Sequence, residues 1–129
     1  MTDLRKYTRL PLDIIVEVYL ADGTHLYGET ADISLDGVFV ILTPPPDLKI
    51  GQPCSLELII KTEEGWVRVS FECNVAHNKL DGIGLQFNRA DTPHHESFLK
   101  LLIDGSSDID KLLEELSHHP RKDFQFSSN

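Results

Sequence analysis

The stretch Val67-Arg68-Val69-Ser70-Phe71-Glu72-Cys73-Asn74-Val75 decides the fold class of this chain. Apolar side chains occupy its odd-numbered positions and polar side chains occupy the even ones, which is the period of a strand with one buried face. The turn-forming residues Glu63-Glu64-Gly65 precede the stretch, and Asp81-Gly82 follow it. The stretch therefore predicts a β-strand that tight turns join to its neighbours.

Similar alternation continues on both sides of this strand. The predicted strands cover Ile14–Leu20, His25–Ile33, Val38–Leu42, Leu56–Ile60, Val67–Val75 and Ile83–Phe87. Short strands at this spacing are typical of an antiparallel barrel or sandwich, and a closed barrel would remove exposed edges. The sequence therefore predicts a mainly β domain.

The period changes to that of helices in the last third of the chain. Thr92 is a predicted cap with Pro93 at the first helical position, and Gly105 is a predicted stop. Ser107 with Asp110 resembles a capping box for a second helix. We expect a flexible N-terminal segment over residues 1–10, a barrel over 11–90, helices over 91–119 and a polar tail over 120–129.

The apolar residues of the second helix recur at helical spacing. They are Ile109, Leu112, Leu113 and Leu116. This stripe either packs on the barrel or joins two copies of the chain, so the sequence is compatible with a monomer or a homodimer.

Composition limits the classes of function. The 129 residues include 12 basic and 21 acidic side chains, for a formal charge of −9, which argues against binding to DNA, RNA or anionic lipid. Met1–Arg9 has no apolar core of a secretory signal, and no apolar run reaches the length of a membrane span. These features predict a cytoplasmic protein without membrane insertion.

The residues that carry metal or redox chemistry are sparse. Cys54 and Cys73 form no Cys-x-x-Cys motif; a disulfide between them and reduced core thiols are both compatible with the sequence, which favours the thiols. The histidine pairs His94-His95 and His118-His119 point in different directions on a helix and lack further ligands at suitable spacing. We predict no metal, no cofactor and no enzymatic activity.

Two short motifs carry the functional signal. The first is Arg5-x-x-x-Arg9, and the second is Asp32-x-Ser34-x-x-Gly37 at the junction of two predicted strands. A guanidinium grips phosphate, or the O6/N7 edge of guanine, with two parallel hydrogen bonds. A carboxylate accepts from the N1–H and amino group of guanine. Together the motifs indicate a site for a guanine nucleotide.

Each motif also has a plainer interpretation. Arg5 and Arg9 would belong to a solvated basic tail, whereas Asp32 and Ser34 would bond to nearby backbone in a turn where Gly37 adopts a positive φ. Both motifs should occur together by chance in roughly one chain in a hundred. Their joint presence therefore favours the ligand-binding interpretation.

In these motifs the chain resembles the PilZ family, whose members bind cyclic di-GMP. The segment Gly82-Ile83-Gly84-Leu85-Gln86-Phe87 resembles the last barrel strand of that family, and the helical residues resemble the tail of its stand-alone members. The resemblance implies a six-stranded antiparallel PilZ-type β-barrel with C-terminal α-helices and no catalytic activity.

The resemblance also implies roles for individual residues. Arg5 and Arg9 would contact phosphates and guanine Hoogsteen edges, Asp32 and Ser34 the other side of a guanine and its linkage, and Gly37 would allow close approach of the backbone. Two weaker candidates complete this set. Lys6 adds charge without a planar fork, and His77 either stacks on a guanine or faces solvent.

One position departs from the family pattern. Many members have an arginine directly before the first motif, where this chain has Leu4, so we expect one bound ligand molecule rather than a stacked pair. Binding would order Met1–Leu10 against the barrel and change the surface that a protein partner detects. The alternative is a nucleotide-independent PilZ-fold adaptor that acts by protein–protein interaction.

Overall fold

The computed structural model describes residues 7–42, 46–91 and 95–118, except for the side chains of residues 89–91 and 118. Each of the six predicted strands has a counterpart. The strands are β1 (Ile15–Leu20), β2 (His25–Ile33), β3 (Gly37–Ile41), β4 (Pro53–Thr62), β5 (Gly65–Lys79) and β6 (Gly82–Asp91). The helices are α1 (His95–Gly105) and α2 (Ile109–His118).

The strands form one closed antiparallel barrel in the order β1-β2-β3-β6-β5-β4. Pairing between β1 and β4 closes it, with Val16 opposite Leu58 and Val18 opposite Leu56. Closure leaves no strand as a free edge, which distinguishes this fold from a sandwich. The barrel alternative of the prediction is therefore confirmed.

The core lies inside the barrel and is closed at one end by α1. On β5 the inward residues Val69 and Phe71 are at most 1% exposed, as the alternation predicted. The Phe71 ring stacks on Phe87 with centroids 3.9 Å apart, and Phe98 of α1 meets Phe71 edge-on at 5.0 Å. Burial of a phenylalanine contributes roughly 1.5–3 kcal/mol, so Phe98 is a major anchor of α1.

Cys54 and Cys73 lie opposite each other on β4 and β5. Both are free thiols and both are buried, as the favoured interpretation expected. Burial raises the pKa of Cys54 to about 11 and raises the pKa of Cys73 as well. Both sulfurs therefore stay protonated and pack as small apolar groups.

The helix ends agree with the prediction only in part. Gly105 ends α1 as expected, whereas Thr92 and Pro93 lie outside the described residues. The predicted capping box of Ser107 and Asp110 is wrong, because Asp108 occupies the cap position and its Oδ1 accepts from the Lys111 amide at 3.1 Å. Of the apolar stripe on α2, Leu112 is buried while Leu113 is 48% exposed.

An N-terminal strap, residues 7–12, runs between the barrel and the helices. Leu10 is 5% exposed, and its backbone exchanges hydrogen bonds of 2.8 and 2.9 Å with Ile33. Leu10 is therefore an apolar anchor within the predicted N-terminal segment. Leu12 packs closely on Gly105 of α1: a Cβ added at Gly105 would lie 2.9 Å from the Leu12 side chain.

In the part of the chain that the structure describes, neither helix is long and apolar enough to cross a membrane.

Candidate ligand-binding site

A β-bulge on β2 directs Asp32 to the outside of the barrel. The pairing with β3 shifts register between Thr30 and Asp32, so Ala31 is an extra residue. Thr30 is 2% exposed and Ile33 is fully buried, while the Asp32 side chain is 31% exposed. Without the extra residue, strict alternation would place Asp32 on the same inner face as Thr30.

Arg9 and Asp32 form an ion pair on this outer surface. Arg9 Nε donates to Asp32 Oδ1 at 2.7 Å, and Arg9 Nη2 lies 2.6 Å from the same oxygen. The Arg9 side chain is 18% exposed, since the Leu10–Ile33 pairing holds the strap against β2. The structure thus brings together one residue from each predicted motif.

Ser34 and Asp36 shape the turn between β2 and β3. Ser34 is 1% exposed, and its hydroxyl donates to Asp36 Oδ1 at 2.7 Å and lies 3.4 Å from the Gly37 carbonyl. The Ser34 amide donates to the same carbonyl at 2.9 Å. In the ligand-free chain Ser34 therefore stabilises the turn, as the plainer interpretation expected of it.

Gly37 is required for a reason that the sequence did not indicate. It pairs with Gln86 on β6, and a Cβ at this position would lie 2.5 Å from the Leu85 carbonyl oxygen. The described glycines with positive φ are Gly23, Gly51 and Gly65, so the positive φ expected at Gly37 is wrong. Its lack of a side chain allows β3 and β6 to approach closely.

A row of cross-strand partners extends from Asp32 over the outer surface. Asp32 pairs with Phe39, Phe39 with Gly84, and Gly84 with His77. The exposed His77 lies over Gly84, where a Cβ would be 2.9 Å from the imidazole ring. Three strand spacings separate Asp32 from His77, which corresponds to about 14 Å along the sheet.

Phe39 lies in this row but was not among the predicted site residues. Its half-buried ring lies beside Gly82, where a Cβ would be 3.0 Å from Phe39 Cε2. Alternation from the buried Val38 and Val40 would have placed Phe39 on the outer face. Among the remaining candidates, Arg5 and Lys6 lie outside the described residues.

The opposite side of the barrel carries a separate ionic cluster. Arg68 Nη1 lies 2.8 Å from Glu57 Oε1 and 3.1 Å from Glu17 Oε1, and Tyr19 donates to Glu17 at 2.7 Å. The hydrogen bond from Arg68, followed by that from Tyr19, lowers the pKa of Glu17 to about 2. The ion pairs and hydrogen bonds of this cluster join β1, β4 and β5.

Among the residues that the structure describes, no group of three or more His, Cys, Asp or Glu side chains is placed to hold a metal ion.

The protein is thus a closed antiparallel β-barrel domain with a charged pair on its outer face. The family model for the PilZ domain matches residues 3–104, and the chain therefore belongs to the PilZ domain family. The six-stranded antiparallel barrel with C-terminal helices is the PilZ-type fold that the resemblance implied. No curated protein matches the chain.

Solved structures with a similar fold include one of MotI/DgrA and two of YcgR. The inhibitor of motility MotI/DgrA of Bacillus subtilis has a TM-score of 0.63 at 15% identity, over 92% of this chain and 54% of that one. The PilZ domain of Escherichia coli YcgR with c-di-GMP has a TM-score of 0.56 at 20% identity, over 93% and 96%.

A structure of Escherichia coli YcgR in complex with c-di-GMP has a TM-score of 0.57 at 18% identity, over 90% of this chain and 50% of that one. The chain thus spans about half the length of MotI/DgrA and of this YcgR chain. At these identities the likeness concerns the fold.

Proposed function

We propose that this protein is a receptor for cyclic di-GMP. The observation that supports the proposal best is the outward-facing pair of Arg9 and Asp32, which belong to two motifs 23 residues apart. Membership of the PilZ family and two neighbouring structures that contain c-di-GMP support the same ligand.

The geometry of the pair suits a guanine nucleotide. Within the described residues, both contacts of Arg9 with Asp32 use Oδ1. Among these residues Oδ2 is therefore left to accept from the N1–H or amino group of a guanine, and the remaining Arg9 nitrogen, Nη1, is left for a phosphate or a Hoogsteen edge. Arg9 and Asp32 thus bind two different parts of the ligand while they hold each other in place.

A doubly charged ligand requires more positive charge than Arg9 supplies. Arg9 bonds to one carboxylate, and Asp36 adds a second negative charge in the adjoining turn. Arg5 and Lys6 precede Arg9 in the sequence, and we propose that they contribute the missing charge at the phosphates. Each charge-assisted hydrogen bond would contribute roughly 1.5–3 kcal/mol.

The remaining surface suits a second base. His77 lies about 14 Å along the sheet from Asp32, too far to contact the same guanine. A dinucleotide has two bases, and a ring near His77 would stack with an energy of roughly 1–3 kcal/mol. Phe39 lies between the two positions in the row.

Ordering of the N-terminal segment would convert binding into a signal. Arg9 already lies against the barrel through its pair with Asp32, so ligand binding would order the residues before the strap and bring Arg5 over the ligand. The surface formed by residues 1–6 would then differ between free and bound protein. A protein partner would detect that difference. Similar hydrogen exchange of these residues with and without ligand would contradict this step.

Isothermal titration of cyclic di-GMP into the purified chain tests the proposal, with GTP as the ligand control. We expect saturable binding of one ligand per chain, which Arg9→Ala weakens by roughly tenfold to a hundredfold, the equivalent of one charge-assisted bond. Arg68→Ala, on the opposite side of the barrel, is the matched arginine control and should bind normally. Absence of binding in the wild-type chain would favour the nucleotide-independent adaptor.

A further inference from the structure

The strap that carries Arg9 is held from behind by the second helix. Glu115 of α2 accepts from the Thr8 amide at 3.0 Å through Oε1 and from the Thr8 hydroxyl at 2.5 Å through Oε2. These residues are 107 positions apart in the sequence. Leu112, one turn before Glu115 on the same face, is 2% exposed and anchors α2 against the core.

Successive side chains of the strap face opposite sides, so the contact with Glu115 and the contact with Asp32 lie on different sides of it. Leu10 forms an isolated antiparallel bridge with Ile33 and is buried. In an extended segment Thr8 and Leu10 face one side and Arg9 faces the other. Glu115 therefore holds the inner side of the strap, while Arg9 on the outer side contacts Asp32.

We propose that Glu115 is a positioning residue for the ligand site, an inference that rests on the proposed function. By binding both donors of Thr8, Glu115 fixes the backbone one residue before Arg9 and so preorganises the guanidinium. The coupling is reciprocal. If docking of α2 on the strap increases the affinity for the ligand, then ligand binding stabilises the docked position of α2 by the same free energy. The ligand site and α2 then form one coupled unit.

The variant Glu115→Gln tests this role, with Glu114→Gln as the matched control. Glu114 is exposed on the same helix, so both variants lose one negative charge and keep their length. Loss of an acidic side chain by itself favours an anionic ligand. A loss of affinity in Glu115→Gln therefore cannot arise from the change in net charge.

We expect Glu115→Gln to weaken binding of cyclic di-GMP by about five- to tenfold, because neutral hydrogen bonds to Thr8 replace the charge-assisted ones. Glu114→Gln should bind as the wild type or slightly better. Thermal melting of both variants confirms that they are folded. Equal affinity of both variants would overturn the proposal, and tighter binding by Glu115→Gln alone would show that Glu115 competes with the ligand.

Hydrogen exchange supplies a second readout that general destabilisation would not move. In the wild type, saturating cyclic di-GMP should increase protection of the amides in residues 109–118, and Glu115→Gln should lose that increase. Unchanged protection in a wild-type chain that binds the ligand would overturn the coupling while leaving the receptor function intact. A wild-type chain that binds no ligand would instead contradict the proposed function.

Discussion

Ser34 is 1% exposed, and its hydroxyl donates to Asp36 at 2.7 Å. In this position it cannot reach a ligand on the outer face without opening the turn that it stabilises. Asp32, by contrast, faces outward through the bulge beside it. Two residues of one motif therefore differ in role: under the proposed function Asp32 would offer a carboxylate to the ligand, whereas Ser34 maintains the turn that follows.

Replacement of Ser34 by alanine separates these tasks. Ser34→Ala should lower the free energy of unfolding by about 1 kcal/mol, as expected for one hydrogen bond, and should weaken ligand binding less than Arg9→Ala does. Urea denaturation and isothermal titration measure the two effects. Complete loss of binding with unchanged stability would show instead that the hydroxyl contacts the ligand.

Gly37 and Gly84 provide a matched pair for close packing. A Cβ at Gly37 would meet the Leu85 carbonyl oxygen at 2.5 Å, and backbone of a paired strand cannot move aside. We expect Gly37→Ala to lower the free energy of unfolding by about 1–3 kcal/mol. At Gly84 the Cβ would meet the exposed His77 ring, which can rotate away.

Gly84→Ala should therefore cost less stability than Gly37→Ala in the same denaturation experiment. An equal cost would contradict the assignment of Gly37 to close approach between β3 and β6.

At the scale of secondary-structure elements, the strands were predictable because a buried face imposes a period of two on the sequence. The bulge at Ala31 was not, because one extra residue reverses the inner and outer faces without a composition signal. The cap of α2 was misassigned because Ser107 and Asp108 are both good caps, and the choice depends on where packing starts the helix. The sequence thus contained the two motifs, but it gave no reason for Asp32 to face outward.

The ionic cluster joins three strands and gives a prediction about pH. Arg68 on β5 holds the pKa of Glu17 on β1 at about 2, below its ordinary value of 4.5. A carboxyl group whose pKa is lowered by folding stabilises the folded protein. This stabilisation is complete at a pH above the pKa of the unfolded state, and it is lost as the pH falls from 4.5 towards 2. The cluster should therefore weaken only in acid.

Arg68→Met should return the pKa of Glu17 towards 4.5. An NMR titration of the Glu17 carboxyl carbon in the wild type and in Arg68→Met measures this shift. A Glu17 titration that is the same in both proteins would contradict the cluster.

At the scale of the whole molecule, the barrel separates two outer surfaces. The pair of β3 and β6 carries the row from Phe39 to Gly84, next to Asp32 on β2. The ionic cluster lies on β1, β4 and β5, on the other side of the closed ring. The contact between Thr8 and Glu115 joins chain segments 107 residues apart, and no local pattern could have predicted it.

If cyclic di-GMP binds over the Arg9–Asp32 pair, a two-dimensional NMR titration of the isotope-labelled chain will locate it there. We expect saturable shifts in the backbone amides of Arg9, Asp32 and the residues around Phe39. The amides of Glu17 and Arg68, on the opposite surface, should stay unchanged. Shifts confined to that opposite surface, or an unchanged spectrum at saturating ligand, would mean that the ligand does not bind over this pair.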